Sequence, residues 1–356
     1  MKKLVLTILF LLIATDVFAA EFLHKHVMPS GGDYTSLEAC MNANEQDLTG
    51  DGWFTVEIDG TWSSADTTTV TIHNYTTTSS DYINIYTTGD ARHHGVFSTS
   101  HYYIDTGSTA GSQMNFADPT RNVIIDGLQF QRDTATDSST ASQCINYPLG
   151  SISGTTVYTV KNCIFKDITQ WDDGTGVMTG IICGDSQAAV TIYNCVFFDF
   201  KRTSSTNIGV SIGGGVPVVK LYNNTFFNCS VGINQGTAAT VTIYNNIFND
   251  CTVDLEHGSY TPTEDYNLTD LTNAASDLDG ANDVFETSLT FNNEAGDDFH
   301  LASTDTAAIG AGTDLSGTFT DDIDGDTRSG TWDIGADEYV AAATAKPQVI
   351  GGEMWL

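Results

Sequence analysis

The chain has 356 residues, 40 % of them hydrophobic, and sets 45 acids against 13 lysines and arginines for a formal charge of −32. Such a surface repels nucleic acid and acidic membranes and argues against polyanionic substrates. The hydrophobic share is too high for disorder. Abundant Gly, Thr, Asn and Asp with only 6 prolines suits many strands and many turns.

Residues 1–19, MKKLVLTILFLLIATDVFA, carry two lysines, an apolar run and a small-residue end. This is the pattern of a secretory leader cleaved after Ala19. The run is short of the ~18 apolar residues of a membrane span, no later stretch is apolar enough to cross a bilayer, and no Cys follows Ala19 to take a lipid. Export to the extracellular space or cell surface without membrane insertion is expected. Residues 20–60 read as an N-terminal cap and first strand. Thr35 or Ser36 starts a helix with Leu37, Cys40, Met41 and Leu48 towards one side and Glu38 near capping-box spacing. A stacked architecture needs such a cover over its open end. Trp53 to Ile58 then opens the first strand. Strand-like stretches follow at 67–72, 81–86 and 101–105, and His93, His94 and His101 lie among them.

One phrase is then written four times: VYTVKNCIF (157–165), AVTIYNCVF (189–197), VVKLYNNTF (218–226) and TVTIYNNIF (240–248). A looser copy, RNVIIDGLQF (121–130), precedes them. The closing residues Phe130, Phe165, Phe197, Phe226 and Phe248 are spaced 35, 32, 29 and 22 apart. Alternating apolar and polar residues of β-branched and aromatic type read as strand. A fixed strand phrase with connections of varying length is the mark of stacked repeats. The expected fold is all-β, a right-handed parallel β-helix with an N-terminal capping helix, its coils spanning 61–258. Coils lie about 4.8 Å apart, so like residues stack in ladders. Asn162, Asn194, Asn223 and Asn245 recur three before the Phe, with Gly127 in the loose copy, and are expected to face the core.

The seven cysteines include Cys163 and Cys195 at one repeat position and Cys229 and Cys251 at another. Each pair reads as a buried thiol ladder. An inter-coil disulfide is the alternative, disfavoured because stacked side chains point the same way. The spacings fit no zinc motif.

Residues 259–340 are acidic, loop-rich and without the phrase, and read as C-terminal coils or cap; 341–356 read as a tail. Within them Asp265-Tyr266-Asn267, Asp298-Phe299-His300-Leu301, Ala307–Gly312, Asp322–Arg328 and Asp333–Glu338 come in order. With the Asn-x-x-Phe coils, this series resembles secreted bacterial β-helix proteins of the pectate-lyase-like superfamily, choice-of-anchor Q type. The resemblance implies the fold over most of the chain. It implies little chemistry, since such proteins include lyases, glycosidases, tail spikes and adhesins.

Four constellations are candidates for function. Lys161, Tyr193, Tyr222 and Tyr244 precede the repeated Asn and face outward by strand alternation. They form either a platform for sugar rings or ordinary cross-strand packing beneath a loop. Asp322, Asp324 and Asp326 have the one-three-five spacing of a calcium loop with Asp333 at twelve, although Thr327 stands where an EF-hand needs Gly. The resemblance has Arg328 pairing a nearby carboxylate such as Asp333. Asp47 to Gly52 is a weaker calcium lookalike. Lys201 and Arg202, in the turn after Phe200, are the candidate base for lyase chemistry, with solvated surface charge as the plainer reading. Asp172-Asp173 with Asp185 supply paired carboxylates for hydrolysis, and His93, His94 and His101 a metal set without a known spacing.

The reading that follows is an exported β-helix protein presenting a sheet surface to a polysaccharide or cell-surface glycan, with Ca²⁺ as the only cofactor suggested. A polysaccharide lyase or glycoside hydrolase is the alternative, and a structural, adhesive or tail-spike-like protein the second.

Overall fold

The computed structural model describes residues 20–107, 111–117, 122–132, 141–147, 156–168, 176–184, 188–202, 206–215, 217–273, 277–285 and 287–341. The expected leader, Arg121, the acids Asp172, Asp173 and Asp185, and the tail beyond 341 lie outside them.

Each repeat builds one coil of three short strands. Thr156–Lys161 enters a first sheet, Ile164–Asp167 a second and Met178–Cys183 a third, before Ala188–Tyr193 returns to the first. Among the described residues, stacked coils give three parallel sheets of nine, seven and seven strands. The chain is therefore a parallel β-helix, right-handed as crossovers between parallel strands are. Register follows the repeat: Val160, Ile192, Leu221 and Ile243 pair in sequence. The five repeat phenylalanines are fully buried in one stack, with ring centroids 4.6 to 5.1 Å apart. These rings reach across the helix to the third sheet. There Gly180, Gly209 and Gly232 leave room: a Cβ at each would lie 2.8 to 2.9 Å from the facing Phe ring.

The repeated Asn does not face the core. Asn162, Asn194, Asn223 and Asn245 take left-handed backbone (φ 48 to 58) at the corner between first and second sheets. Asn tolerates this region better than most residues, which is why it recurs. The inward Asn ladder is one residue later. Asn224, Asn246 and Asn267 each donate to the carbonyl of a first-sheet strand in a neighbouring coil (Ile192, Leu221 and Ile243, all 3.0 Å). Earlier coils carry Cys163 and Cys195 at this position, and all seven cysteines are free and buried.

Both ends differ from expectation in an instructive way. The first sheet begins before Trp53, with Glu21–Val27 paired in parallel to Trp53–Ile58. The helix Leu37–Ala43 starts at Ser36, whose Oγ accepts the Ala39 amide at 3.2 Å. It buries Leu37, Cys40 and Met41, and Leu48 is buried beyond it, as the cap requires.

At the other end the chain stacks only as far as Leu268–Thr269, and residues 287–340 then run back along the outside of the coils. The physical reason is apolar residues on the outer face of the second sheet. Ile164, Val196, Phe198 and Ile247 need cover, and Phe299, Ile323, Ile334 and Ala336 supply it. This strap is also pinned to the corner asparagines. Asn245 Nδ2 donates to Thr313 O (2.8 Å), Asn223 Nδ2 to Asp333 O (2.9 Å) and Asn194 Nδ2 to Asp321 O (2.8 Å).

Candidate functional site

One outward ladder crosses the whole first sheet: His26, Glu57, Tyr86, Asp126, Lys161, Tyr193, Tyr222, Tyr244 and Asp265 pair in order. The tyrosine stripe is its later half, and the strap covers it. Tyr193 and Tyr222 are only 8 % and 7 % exposed, packed with Phe319 and Trp332. Phe319 stacks on Tyr193 with centroids 4.3 Å apart. Tyr244 is partly buried against the same cluster. The open platform is thus corrected to an aromatic seat for the strap, because apolar ring faces bury wherever a later segment can reach them.

The ladder opens where the strap stops. A cleft of about 470 Å³ lies there, lined by Arg92, His94, Asp126, Asn162, Asp321 and Asp324 among others. Its floor is a cross-braced charge set. Asp126 Oδ1 accepts from Arg92 Nη1 at 2.8 Å and from Asn162 Nδ2 at 3.1 Å. Lys161 Nζ sits 3.2 Å from Asp126 Oδ2 and 3.6 Å from Asp321 Oδ2. Burial alone would raise the Asp126 pKa, but Arg92 and Lys161 outweigh it and hold the carboxyl below its ordinary range. Burial likewise opposes the Lys161 charge, and Asp126 and Asp321 overcome this and raise its pKa. Lys161 is thus a fixed cation, unsuited to act as a base at neutral pH.

The repeat breaks here for a reason that can be read atom by atom. Gly127 replaces the corner Asn at φ +77, and a Cβ on it would stand 2.1 Å from Arg92 Nη1 and 2.6 Å from Thr87 Oγ1. Just behind, His93 is fully buried. Its Nε2–H donates to Asn162 O at 2.8 Å and its Nδ1 accepts the Gly95 amide at 3.2 Å. Burial, then Arg92, pushes its pKa down to about 3, so the ring is neutral. With both ring nitrogens engaged, His93 is not open to join His94 and His101 as a metal ligand. Those two rings meet edge to face, 5.9 Å apart.

The calcium-loop acids do not converge. Asp321 and Thr327 form an antiparallel bridge, so the stretch is an Asp-Gly hairpin. Asp322 Oδ1 accepts the amides of Asp324 (3.0 Å) and Asp326 (2.8 Å). Asp333 accepts those of Gly310 and Tyr339, both at 2.6 Å, and Asp326 is exposed. Asp324 turns the other way, to His300 Nε2 at 2.9 Å. Arg328 pairs with Glu338 (3.2 Å), not Asp333, and donates to Asn194 Oδ1 (3.0 Å), making the motif a buried clasp on the corner ladder. In the Asp47–Gly52 turn, Asp81 accepts the amides of Gly50 and Gly52, both at 3.1 Å. Spacing alone suggested ligands; the backbone donors of tight turns use the same oxygens.

Lys201 and Arg202 lie away from the cleft. Lys201 Nζ binds Asp250 Oδ1 at 3.0 Å, and Arg202 Nη2 approaches buried Asp167 at 3.7 Å. Both cations brace corners between coils. Arg92, Asp126, Asn162 and Asp321 were not singled out as site residues from sequence. The one signal was Gly127, the lapse in the Asn ladder.

No protein-family model matches the chain, and no curated protein does either. Among solved structures, the crystal structure of pectate lyase Pel9A aligns with 90 % of this chain and 97 % of its own, at 14 % identity and a TM-score of 0.41.

Proposed function

We propose that this protein is exported and binds a neutral polysaccharide in the cleft at the end of the strap. The observation that carries this reading is the cross-braced set Arg92, Asp126, Asn162 and Asp321 on an open floor, with Lys161 paired to both carboxylates. Sugar hydroxyls both donate and accept, and a surface whose donors and acceptors are already held in place loses little freedom on binding them. Both signs of charge are present, which suits neither a lipid nor a polyanion. The leader-like first residues support export.

The test is titration of neutral oligosaccharides into the purified chain, with released products measured in the same samples. His94 is exposed on the cleft wall, and its ring braces no neighbour in the floor. His94→Ala is expected to weaken binding about tenfold, about 1.4 kcal/mol, with an unchanged melting temperature. Binding that ignores this change would remove the cleft from the account. Release of shortened or unsaturated sugars would turn the reading to a hydrolase or lyase.

A further inference from the structure

Beside the cleft, three side chains from separate parts of the strap meet. His300 comes from the strand Asp298–Leu301, Asp324 from the Asp-Gly hairpin and Asp337 from the segment that ends the clasp. One ligand atom of each lies within 4.8 Å of the others. Asp337 is held there by the Leu301 amide, which donates to its Oδ2 at 2.7 Å.

We propose that His300, Asp324 and Asp337 form a site for a divalent transition-metal ion of the Zn²⁺ or Mn²⁺ kind. Three features point to a ligand beyond a simple ion pair. First, His300 Nδ1 is 2.5 Å from Asp298 Oδ1. A carboxylate on the far nitrogen fixes the tautomer and ring plane of a metal-bound imidazole, and it leaves Nε2 directed at the cluster. Second, Asp324 gives only Oδ2 to His300; its Oδ1 is buried and has no hydrogen-bond partner among the described residues. Most buried polar atoms are hydrogen-bonded; Asp254 Oδ1 is another exception here, but only the Asp324 oxygen stands beside a second carboxylate and an imidazole, where a cation would satisfy it. Third, the space in front of these atoms is kept by Gly95. A Cβ there would fall 2.3 Å from His300 Nε2 and 3.1 Å from Asp324 Oδ1.

The donor set selects the metal. One imidazole and two carboxylates suit Zn²⁺ or Mn²⁺, whereas Ca²⁺ takes six to eight oxygens. Two ligands about 2.1 Å from one ion lie about 3.0 Å apart at an octahedral angle and about 3.4 Å at a tetrahedral one, so the present Nε2 to Oδ2 separation of 2.9 Å has to open by up to about 0.5 Å on loading. On loading, the proton shared between Nε2 and Asp324 passes to solvent, and the nitrogen lone pair goes to the metal. The site does not depend on whether the cleft takes a sugar.

The experiment is calorimetric titration of Zn²⁺ into chelator-treated full-length protein, repeated with Mn²⁺. One tight site per chain is expected, with a Zn²⁺-dependent rise in melting temperature. Asp324→Asn and Asp337→Asn should each weaken it at least tenfold and abolish that rise. Gly95→Ala keeps all three ligand side chains, crowds His300 Nε2 and should do the same; the melting temperature of each variant without metal separates loss of binding from loss of fold. Among the described residues, the exposed His24 and His26 with the partly buried Glu57 form a second group of possible ligands on the first sheet. The double variant His24→Ala/His26→Ala should leave the tight site intact. Loss of binding in that variant, with retention in Asp324→Asn, would overturn the assignment. So would the absence of saturable binding of either metal.

Discussion

At the scale of single residues, the departures from the repeat are more informative than the repeat. Gly127 is the clearest case. By the pattern of the other coils an Asn belongs there, and Asn would accept the left-handed backbone. The guanidinium of Arg92 occupies the space instead. Gly127→Asn, the change a consensus argument would recommend, is therefore expected to destabilise by about 1–3 kcal/mol. Urea denaturation of the single and double variants decides the cause. Adding Arg92→Ala should recover part of the loss, so that the double variant costs less than the two singles together. Strict additivity would show that Arg92 is not the obstacle. The lapse at Gly127 could be seen in the sequence, but its meaning could not. Arg92 lies 35 positions upstream in an irregular coil, and Asp321, which completes the cleft floor, is 159 residues from Asn162. Local pattern carries no information about pairs so distant.

Among the elements, the strands were legible because each is repeated and each repeats its neighbour's chemistry. Val, Ile and Phe at fixed offsets leave one register that buries all of them. The corner asparagines were legible as a ladder but not as a corner. Their recurrence marks a shared constraint, and only the backbone shows that the constraint is a positive φ. The strap was illegible, since nothing in it repeats and its partners are outward residues that the pattern marks as exposed. The two readings of the stripe, open platform or packing beneath a loop, differ in a measurable way. An exposed Tyr193 would be replaceable at almost no cost. Covered by Phe319 and Trp332, its truncation to Ala should cost about 3 kcal/mol and loosen the strap. Thermal unfolding measures the first effect, and hydrogen exchange of the Leu315–Trp332 amides the second. A change under about 0.5 kcal/mol would mean that the strap does not rest on this ring.

For the molecule as a whole, the question is how a fold stands with a formal charge of −32. Part of the answer is local. Acids are spent on backbone amides, as at Asp81, Asp322 and Asp333, or on cations, as at Asp126 and Asp167. These contacts are short, and the buried ones are screened little by salt. The rest is long-range repulsion between exposed carboxylates, which opposes the compact state. Its range is the Debye length, about 30 Å at 0.01 M salt and about 10 Å at 0.1 M. The melting temperature should therefore rise by several degrees between about 0.01 M and 0.1 M NaCl, and more slowly above that, as measured by calorimetry at constant pH. A flat response would mean that local pairing already absorbs the repulsion. A fall would mean that ion pairs such as Lys166 with Asp297 and Lys201 with Asp250 hold the strap and the coil corners more firmly than the net charge pushes them apart. In that case the acidity would be a property of the scaffold's contacts and not of the medium that surrounds it.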